Sequence, residues 1–355
     1  MQHRFQLKTS ILCLFLAATL YACNSSDDGP SPLPIEDPEP EPKTAVTIPD
    51  SNFEQRLLSQ GVDTDGELNG QIWLEDALEV TVLELFSSDD EAKITDLTGI
   101  EVFKNLEMLS VANNALQTIS LSENTALERL TLNANQLTTI DLSANTELVA
   151  LSISWNDLTE IDLSANTKLQ TLELVANQLQ SLDISNNTEL VDLDVIVNEL
   201  SSIEGLNQAK KLKELNLAWN DFEELTLNLP ALTGLNVEQN LLKTLNIDGC
   251  PSLEYLLATV NKIEILNTEH NTALIHLKVS YNQITSLNLS SNTNLEKVWA
   301  SGNKLTDLDV SALSALYDLR IVRNEHLTCI KINEGQQIPT VQKENHQNLT
   351  AGGCN

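Results

Sequence analysis

The chain has 355 residues, of which 41% are hydrophobic and only 4% aromatic, so its core must be mainly aliphatic. Its 51 acidic residues against 20 lysines and arginines give a formal net charge of −31 at pH 7. A field of that sign opposes binding to nucleic-acid phosphates or anionic lipid by charge attraction, and we predict no nucleic-acid partner.

The first 22 residues have the features of an export signal. Arg4 and Lys8 precede an apolar run over residues 11–18 that is too short to span a bilayer. The next residues, Leu-Tyr-Ala-Cys23, resemble the lipobox of bacterial lipoproteins, which are cleaved before the cysteine and lipidated on its sulfur. We predict a signal peptide over residues 1–22 and lipidation of Cys23, and a plain secretory signal is the alternative.

Residues 23–47 are predicted to be an acidic, proline-rich tether. Six prolines alternate with acidic residues between positions 29 and 44, a composition that buries little apolar area and stays extended. The stretch Asn24–Asp28 resembles the acidic signal that sends some Gram-negative lipoproteins to the outer surface. The expected location is therefore the outer membrane at the cell surface, with the lipid anchor as the sole membrane contact.

An N-terminal cap is predicted over residues 48–81. Ser51-x-x-Glu54 has the pattern of a capping box, which opens a short helix through Phe53 and Leu57 to Gly61. Degenerate coils follow at 82–85 and 94–100.

The cap also contains a loop that resembles an EF-hand calcium loop. Oxygen-bearing residues and a glycine follow the EF-hand order from residue 65 to 76, although Glu67 is long for its position and Asp76 replaces the usual glutamate. The alternative is a cap loop that binds no metal. A structural calcium ion is the one cofactor that the sequence suggests, and none is required. The expected ligands are Asp65, Glu67, Asn69, Asp76 and the backbone carbonyl of Gln71.

A repeat of L-x-x-L-x-L-x-x-N fills residues 82–327, with a period of 21 interrupted once by a spacing of 22 and then 20. Eleven copies begin at Leu106, Leu127, Leu148, Leu169, Leu190, Leu212, Leu232, Leu253, Leu274, Leu295 and Leu316. The ninth position is asparagine in every copy, from Asn114 to Asn324. A carboxamide both donates and accepts hydrogen bonds, so a ladder of asparagines can pair the backbone groups of successive coils.

This pattern resembles the leucine-rich-repeat family, and the lead-in resembles that of internalin-like bacterial proteins. The resemblance implies an α/β-type solenoid, a horseshoe or arc whose parallel strands line a concave sheet. The second half of each repeat, as in Ile140-Asp-Leu142-Ser-Ala-Asn145, alternates and ends in a polar turn. The convex side is therefore predicted to be extended or turn-like.

The C-terminal cap is predicted over residues 328–355. Cys329 departs from the repeat and Cys354 lies beside the terminus, so in an oxidising compartment we predict a disulfide between them. Cys250 occupies a turn position that other repeats fill with asparagine, and it is predicted to be a free, buried thiol.

The third and fifth positions of each repeat should point outward on the concave face. They are acidic in the middle of the array and become basic and aromatic towards its C-terminal end. Neighbouring strands place equivalent side chains about 5 Å apart, so one continuous binding patch is predicted there. The alternative is that the rings pack against each other, and Trp155 and Trp219 are assigned to that packing role. The predicted patch consists of Tyr255, Leu257, His276, Lys278, Lys297, Trp299 and Arg320, flanked by Tyr281 and Arg323.

No motif in the sequence predicts catalysis. The histidines are not paired at a metal-binding or nucleophile-activating spacing, and no phosphate-binding or nucleophile-elbow motif occurs. We therefore predict a monomeric, non-catalytic binding scaffold that recognises a protein or peptide, with a glycan as the second choice of ligand. A structural surface protein or spacer without a specific ligand is the alternative function.

Overall fold

The computed structural model describes residues 43–88 and 92–352, and it begins with a small cap. A two-stranded antiparallel sheet pairs β1 (Ala45–Thr47) with β2 (Gln71–Trp73), and the cap also holds helices α1 (Ser51–Ser59) and α2 (Leu74–Leu78). Residues 45–47 therefore belong to the cap and not to the tether in which the sequence placed them. The half-buried Val46 packs against the core.

The N-cap residue of helix α1 lies one position before the serine of the predicted capping box. Asp50 is the N-cap, and its carboxylate accepts hydrogen bonds from the backbone N–H groups of Asn52 and Phe53. Glu54 does not reach back to the helix start. Its buried carboxylate accepts three backbone N–H bonds from residues 69–71 and so fixes the loop against the helix. The capping-box prediction was wrong because a loop distant in sequence offers Glu54 more donors than the helix start does.

The main sheet has 13 parallel strands, and every predicted repeat contributes one strand in the expected register. The central leucine or valine of each strand is buried, apart from the half-buried Val341 of the last strand, and most flanking side chains are exposed or half-buried. The order along the sheet follows the chain. The strands are β3 (Val82–Glu84), β4 (Met108–Ser110), β5 (Arg129–Thr131), β6 (Ala150–Ser152), β7 (Thr171–Glu173), β8 (Asp192–Asp194), β9 (Glu214–Asn216), β11 (Gly234–Asn236), β13 (Tyr255–Leu257), β14 (His276–Lys278), β15 (Lys297–Trp299), β17 (Asp318–Arg320) and β19 (Thr340–Gln342).

The convex side is turn-like with short extended pieces, as predicted. Two 3-10 helices, Ile100–Val102 and Leu206–Gln208, interrupt it. Two small parallel sheets complete it. The first pairs β10 (Glu224–Thr226) with β12 (Thr244–Asn246), and the second joins β16 (Leu308–Asp309), β18 (Cys329–Lys331) and β20 (Asn348–Thr350).

The predicted asparagine ladder links successive coils. In Asn177, the side-chain oxygen accepts from the backbone N–H of Leu158, and the amide donates to the carbonyls of Ile153 and Leu174. A second ladder, including Asn145 and Asn166, runs through the convex turns. Its amides donate to two carbonyls each, whereas the side-chain oxygens of five of its members have no hydrogen-bond partner among the described residues.

Cys250 occupies one position of this second ladder and is a free, buried thiol, which confirms the prediction. Burial raises the pKa of its thiol. An apolar group is tolerated at this position because the ladder does not depend on the side-chain oxygen there.

The solenoid continues past residue 327, where the sequence placed the end of the repeats. The strand β19 joins the main sheet, and the buried Gln347 donates to the carbonyls of Ile321 and Asn324, in the place of a ladder asparagine. Cys329 is disulfide-bonded. Cys354 lies outside the described residues, so its pairing with Cys329 stays a prediction. Within residues 43–88 and 92–352, no helix is both long enough and apolar enough to cross a membrane.

Candidate functional site on the concave sheet

The parallel register arranges the predicted patch as two rows of side chains across the sheet. One row runs Tyr255, His276, Lys297 and Asp318, each paired with the next. The other row runs Leu257, Lys278, Trp299 and Arg320. The seven residues predicted from the third and fifth positions therefore do lie side by side. The nine predicted residues, including Tyr281 and Arg323, are called the basic-aromatic patch below.

Trp299 is the centre of the patch and contacts two cations. The Nζ of Lys278 lies 4.4 Å from the ring centroid, and the guanidinium carbon of Arg320 lies 3.9 Å from it. Such contacts are worth about 0.5–1 kcal/mol each at exposed sites. The half-buried ring is therefore held in one orientation before any ligand arrives.

Asp318 holds Trp299 and Arg320 in this arrangement. The sequence interpretation did not include it in the patch. Its carboxylate accepts from the indole Nε1 of Trp299 at 2.9 Å and from two guanidinium nitrogens of Arg320 at 3.1 Å. Burial alone would raise the pKa of Asp318, but these hydrogen bonds outweigh it and lower the pKa. The signal was present in the repeat, because Asp318 occupies a third position on the same strand as Arg320.

The remaining members of the patch also form pairs. The rings of Tyr255 and His276 meet edge to face with centroids 5.1 Å apart. Burial, together with the charge of Lys297, lowers the pKa of His276, which favours a neutral imidazole. Lys297 also lies 5.5 Å from the ring of Tyr317, a half-exposed residue that the sequence interpretation did not include.

Tyr281 and Arg323, the two predicted flanking residues, contact each other. The guanidinium of Arg323 lies 5.7 Å from the ring of Tyr281 and donates to its hydroxyl at 3.4 Å. The Tyr281 ring extends along the array over Gly302, where a Cβ atom would approach the ring to 2.8 Å. A side chain at position 302 would therefore displace this ring.

Solved structures of other proteins share this architecture. The functional domain of InlJ from Listeria monocytogenes matches with a TM-score of 0.75 at 24% identity, covering 87% of this chain and 72% of that chain. The internalin inlF from Listeria monocytogenes str. 4b F2365 matches with a TM-score of 0.60 at 20% identity, covering 87% of this chain and 97% of that chain. A plant peptide hormone receptor, RGFR1 in complex with RGF2, matches with a TM-score of 0.52 at 18% identity, covering 70% of this chain and 50% of that chain.

The fold is that of the leucine-rich-repeat solenoids. No protein-family model matches the sequence, and no curated protein matches it. Since the identities are below 25%, these likenesses show the leucine-rich-repeat fold alone.

The middle of the leucine-rich-repeat sheet carries a separate acidic cluster, which we define as Glu173, Asp192, Asp194 and Glu214. Burial and repulsion from the neighbouring carboxylates raise the pKa of Asp192. Burial also raises the pKa of Asp194, although bonds from Ile196 and Asn216 oppose the shift. In the described part of the chain, none of the four carboxylates forms an ion pair.

The predicted calcium loop has a defined shape, but its carboxylates have other partners. Asp65 accepts from the backbone of Glu67 and from the amide of Asn69, while Asp76 accepts from Thr64 and lies 3.8 Å from the Nζ of Lys43. Gly70 has a φ of 78°, which permits the sharp turn. Within the described residues, no group of three or more histidine, cysteine, aspartate or glutamate side chains is placed to hold a metal ion. Calcium binding here stays a prediction.

Trp155 and Trp219 do not pack as the sequence interpretation assigned. Their side chains are 66% and 55% exposed, and neither ring contacts another ring or a cation among the described residues. The backbone at both positions is left-handed, with φ of 58° and 56°, and turns these side chains outward.

Proposed function

We propose that this protein is a non-catalytic binding scaffold at a bacterial cell surface, and that the basic-aromatic patch recognises a protein or peptide ligand. The observation that carries the proposal is the ring of Trp299, held by Lys278, Arg320 and Asp318 on a concave face whose middle strands are acidic. An aromatic side chain fixed in advance loses little conformational entropy on binding, and such residues dominate binding energies at interfaces.

The charges of the patch indicate the chemistry of the ligand. Lys278, Lys297 and Arg323 form no ion pair with an acidic side chain within the described residues, whereas Asp318 neutralises Arg320. The patch therefore favours a segment with carboxylates and an apolar or aromatic side chain that can pack beside the Trp299 ring and its two cations. A protein or peptide supplies both groups, and the fold is shared with a peptide hormone receptor solved with RGF2. A glycan remains the second choice.

The experiment starts with the full chain carrying Cys23→Ser as bait, followed by identification of what it retains and measurement of the affinity. Truncating an interface anchor costs about 2 kcal/mol or more, so Trp299→Ala should weaken binding by about 30-fold. Lys278→Glu should reduce affinity in the same direction. Ser110→Ala, a matched fifth-position change at the other end of the sheet, should have no effect. Equal affinity in all variants would place the ligand elsewhere.

The location is proposed on the sequence alone. Cys23 lies outside the described residues, and the lipobox resemblance supports a lipid anchor in the outer membrane. Cys23→Ser should move the mature protein from the membrane fraction to the soluble fraction. Unchanged partitioning of that variant would exclude lipidation as the anchor.

A further inference from the structure

A row of exposed and half-buried residues runs along the rim of the concave sheet, where each strand turns the corner before its ladder asparagine. We call this row the rim stripe. All its members have positive φ, between 53° and 67°. They are Asn113, Ala134, Trp155, Ala176, Val197, Trp219, Gln239, Val260, Tyr281, Gly302 and Arg323.

The backbone of the solenoid imposes this left-handed conformation. The N–H of each stripe residue from Asn113 to Gly302 donates to a carbonyl of the next coil, as Trp155 does to Val175 and Trp219 to Glu238. A left-handed conformation costs an L-residue roughly 1–2 kcal/mol, and only glycine and asparagine adopt it readily. Stability alone would therefore favour residues such as Asn113 and Gly302 along the whole stripe.

Between repeats three and six, the rim stripe carries apolar residues that do not adopt positive φ readily. Val197 is β-branched, the class for which positive φ is most unusual, and it is 46% exposed. Trp155 and Trp219 are exposed further still. Because these side chains stay in solvent, burial does not offset the backbone strain. The solenoid imposes the same conformation on every coil, so it is the choice of large apolar residues at exposed positions that packing leaves unexplained.

The acidic cluster lies beside this part of the stripe. Asp194 and Val197 are three residues apart on one coil, so their Cα atoms are within about 10 Å. Glu173 and Glu214 occupy the neighbouring strands on either side of β8. An exposed apolar rim therefore borders four carboxylates that form no ion pair within residues 43–88 and 92–352.

We propose that this part of the rim stripe, Trp155 to Trp219, together with the acidic cluster, binds a segment of a partner protein that carries apolar and lysine or arginine side chains. The apolar side chains contact the two indole rings and Val197. The cations lie against Asp192, Asp194 and their neighbours, where they relieve the mutual repulsion of the carboxylates. Charge complementarity selects this partner over an acidic or neutral one.

The dimensions fit a short segment. Trp155 and Trp219 are three coils apart, which is about 14 Å at the spacing of neighbouring strands. An extended peptide covers that distance with about five residues. This surface lies in repeats three to six, whereas the basic-aromatic patch lies in repeats eight to eleven.

The test uses the full chain carrying Cys23→Ser and a fluorescein-labelled peptide of alternating lysine and leucine, followed by anisotropy. Trp155→Asn combined with Trp219→Asn should weaken binding by about tenfold or more. Asparagine is the native residue at the equivalent position 113, so the same variant should keep or raise the unfolding midpoint. Asp192→Asn with Asp194→Asn should also weaken binding and reduce its salt dependence.

Three controls separate the alternatives. Val260→Asn changes the stripe away from the acidic cluster, Trp299→Ala changes the basic-aromatic patch, and Glu160→Gln removes an exposed charge on the convex side; each should leave binding of this probe unchanged. A lower unfolding midpoint with unchanged peptide affinity in the double tryptophan variant would show that the rings serve packing, and would overturn the proposal. Two results would overturn the choice of partner. The first is equal affinity for a peptide of alternating glutamate and leucine. The second is binding of a soluble neutral glucan that is lost in the double tryptophan variant.

Discussion

The two asparagine ladders should differ in their contribution to stability, although their sequences look equivalent. Asn177→Ala removes the one acceptor that the described residues offer to the Leu158 N–H, together with two donated hydrogen bonds. Asn166→Ala removes two donated bonds, but it also removes a buried oxygen that has no partner among the described residues. The two substitutions therefore differ chiefly in one orphaned donor.

A buried polar group left without a partner costs about 1–3 kcal/mol. We expect Asn177→Ala to lower the free energy of unfolding by about 3–4 kcal/mol and Asn166→Ala by about 1–2 kcal/mol. Urea unfolding followed by circular dichroism measures both, with equal slopes as the sign that the compared states are the same. Asn166→Cys, which copies the native Cys250, should cost no more than Asn166→Ala. Equal losses for the two alanine variants, or a larger loss at position 166, would refute this account of the ladders.

Three further outcomes are expected. Thiol counting on the denatured, unreduced chain carrying Cys23→Ser should find Cys250 as the one free cysteine of the mature protein, whereas three would exclude a bridge between Cys329 and Cys354. Calcium should raise the midpoint of thermal unfolding, by an amount equivalent to about 2.7 kcal/mol at 100 times its dissociation constant, and Asp65→Asn should abolish the rise; a midpoint that ignores calcium and chelator would show an empty loop. Asp318→Asn should lower stability at neutral pH, because hydrogen bonds lower the pKa of this carboxyl in the folded state. The loss of stability should disappear as the pH falls below 3.8, the pKa of this carboxyl in the unfolded chain, and then through its lower pKa in the folded protein. A loss that is independent of pH would exclude the negative charge of Asp318 as its cause.

The repeat sequence predicted the main sheet well because each strand is specified within its own 21 residues. The fourth position is leucine in ten of the eleven copies and valine in the other, and the ninth is asparagine in all eleven, so nearly the same local choice is made eleven times. The register then follows, because a shift by one residue would turn the buried leucines towards solvent. The side-by-side placement of Lys278 and Trp299 followed from this register and needed no tertiary information.

Contacts between segments distant in sequence were not predictable in the same way. The role of Glu54 depends on a loop about 15 residues further along the chain, which presents three N–H groups at one point. The bonds from Trp299 and Arg320 to Asp318 depend on how three side chains orient above neighbouring strands. Sequence periodicity gives the position of a side chain on a sheet, but not the partner that it selects.

The rim stripe shows the division most clearly. The sequence by itself determined that Trp155 and Trp219 precede ladder asparagines in equivalent positions. Only the tertiary structure decided that they point into solvent, because the left-handed φ at these positions is imposed by hydrogen bonds to the adjacent coil. Nothing within one repeat favours that conformation for tryptophan, since its intrinsic preference is the opposite. The local repeat pattern therefore determined the fold, whereas hydrogen bonds between adjacent coils determined which side chains are exposed at the rim.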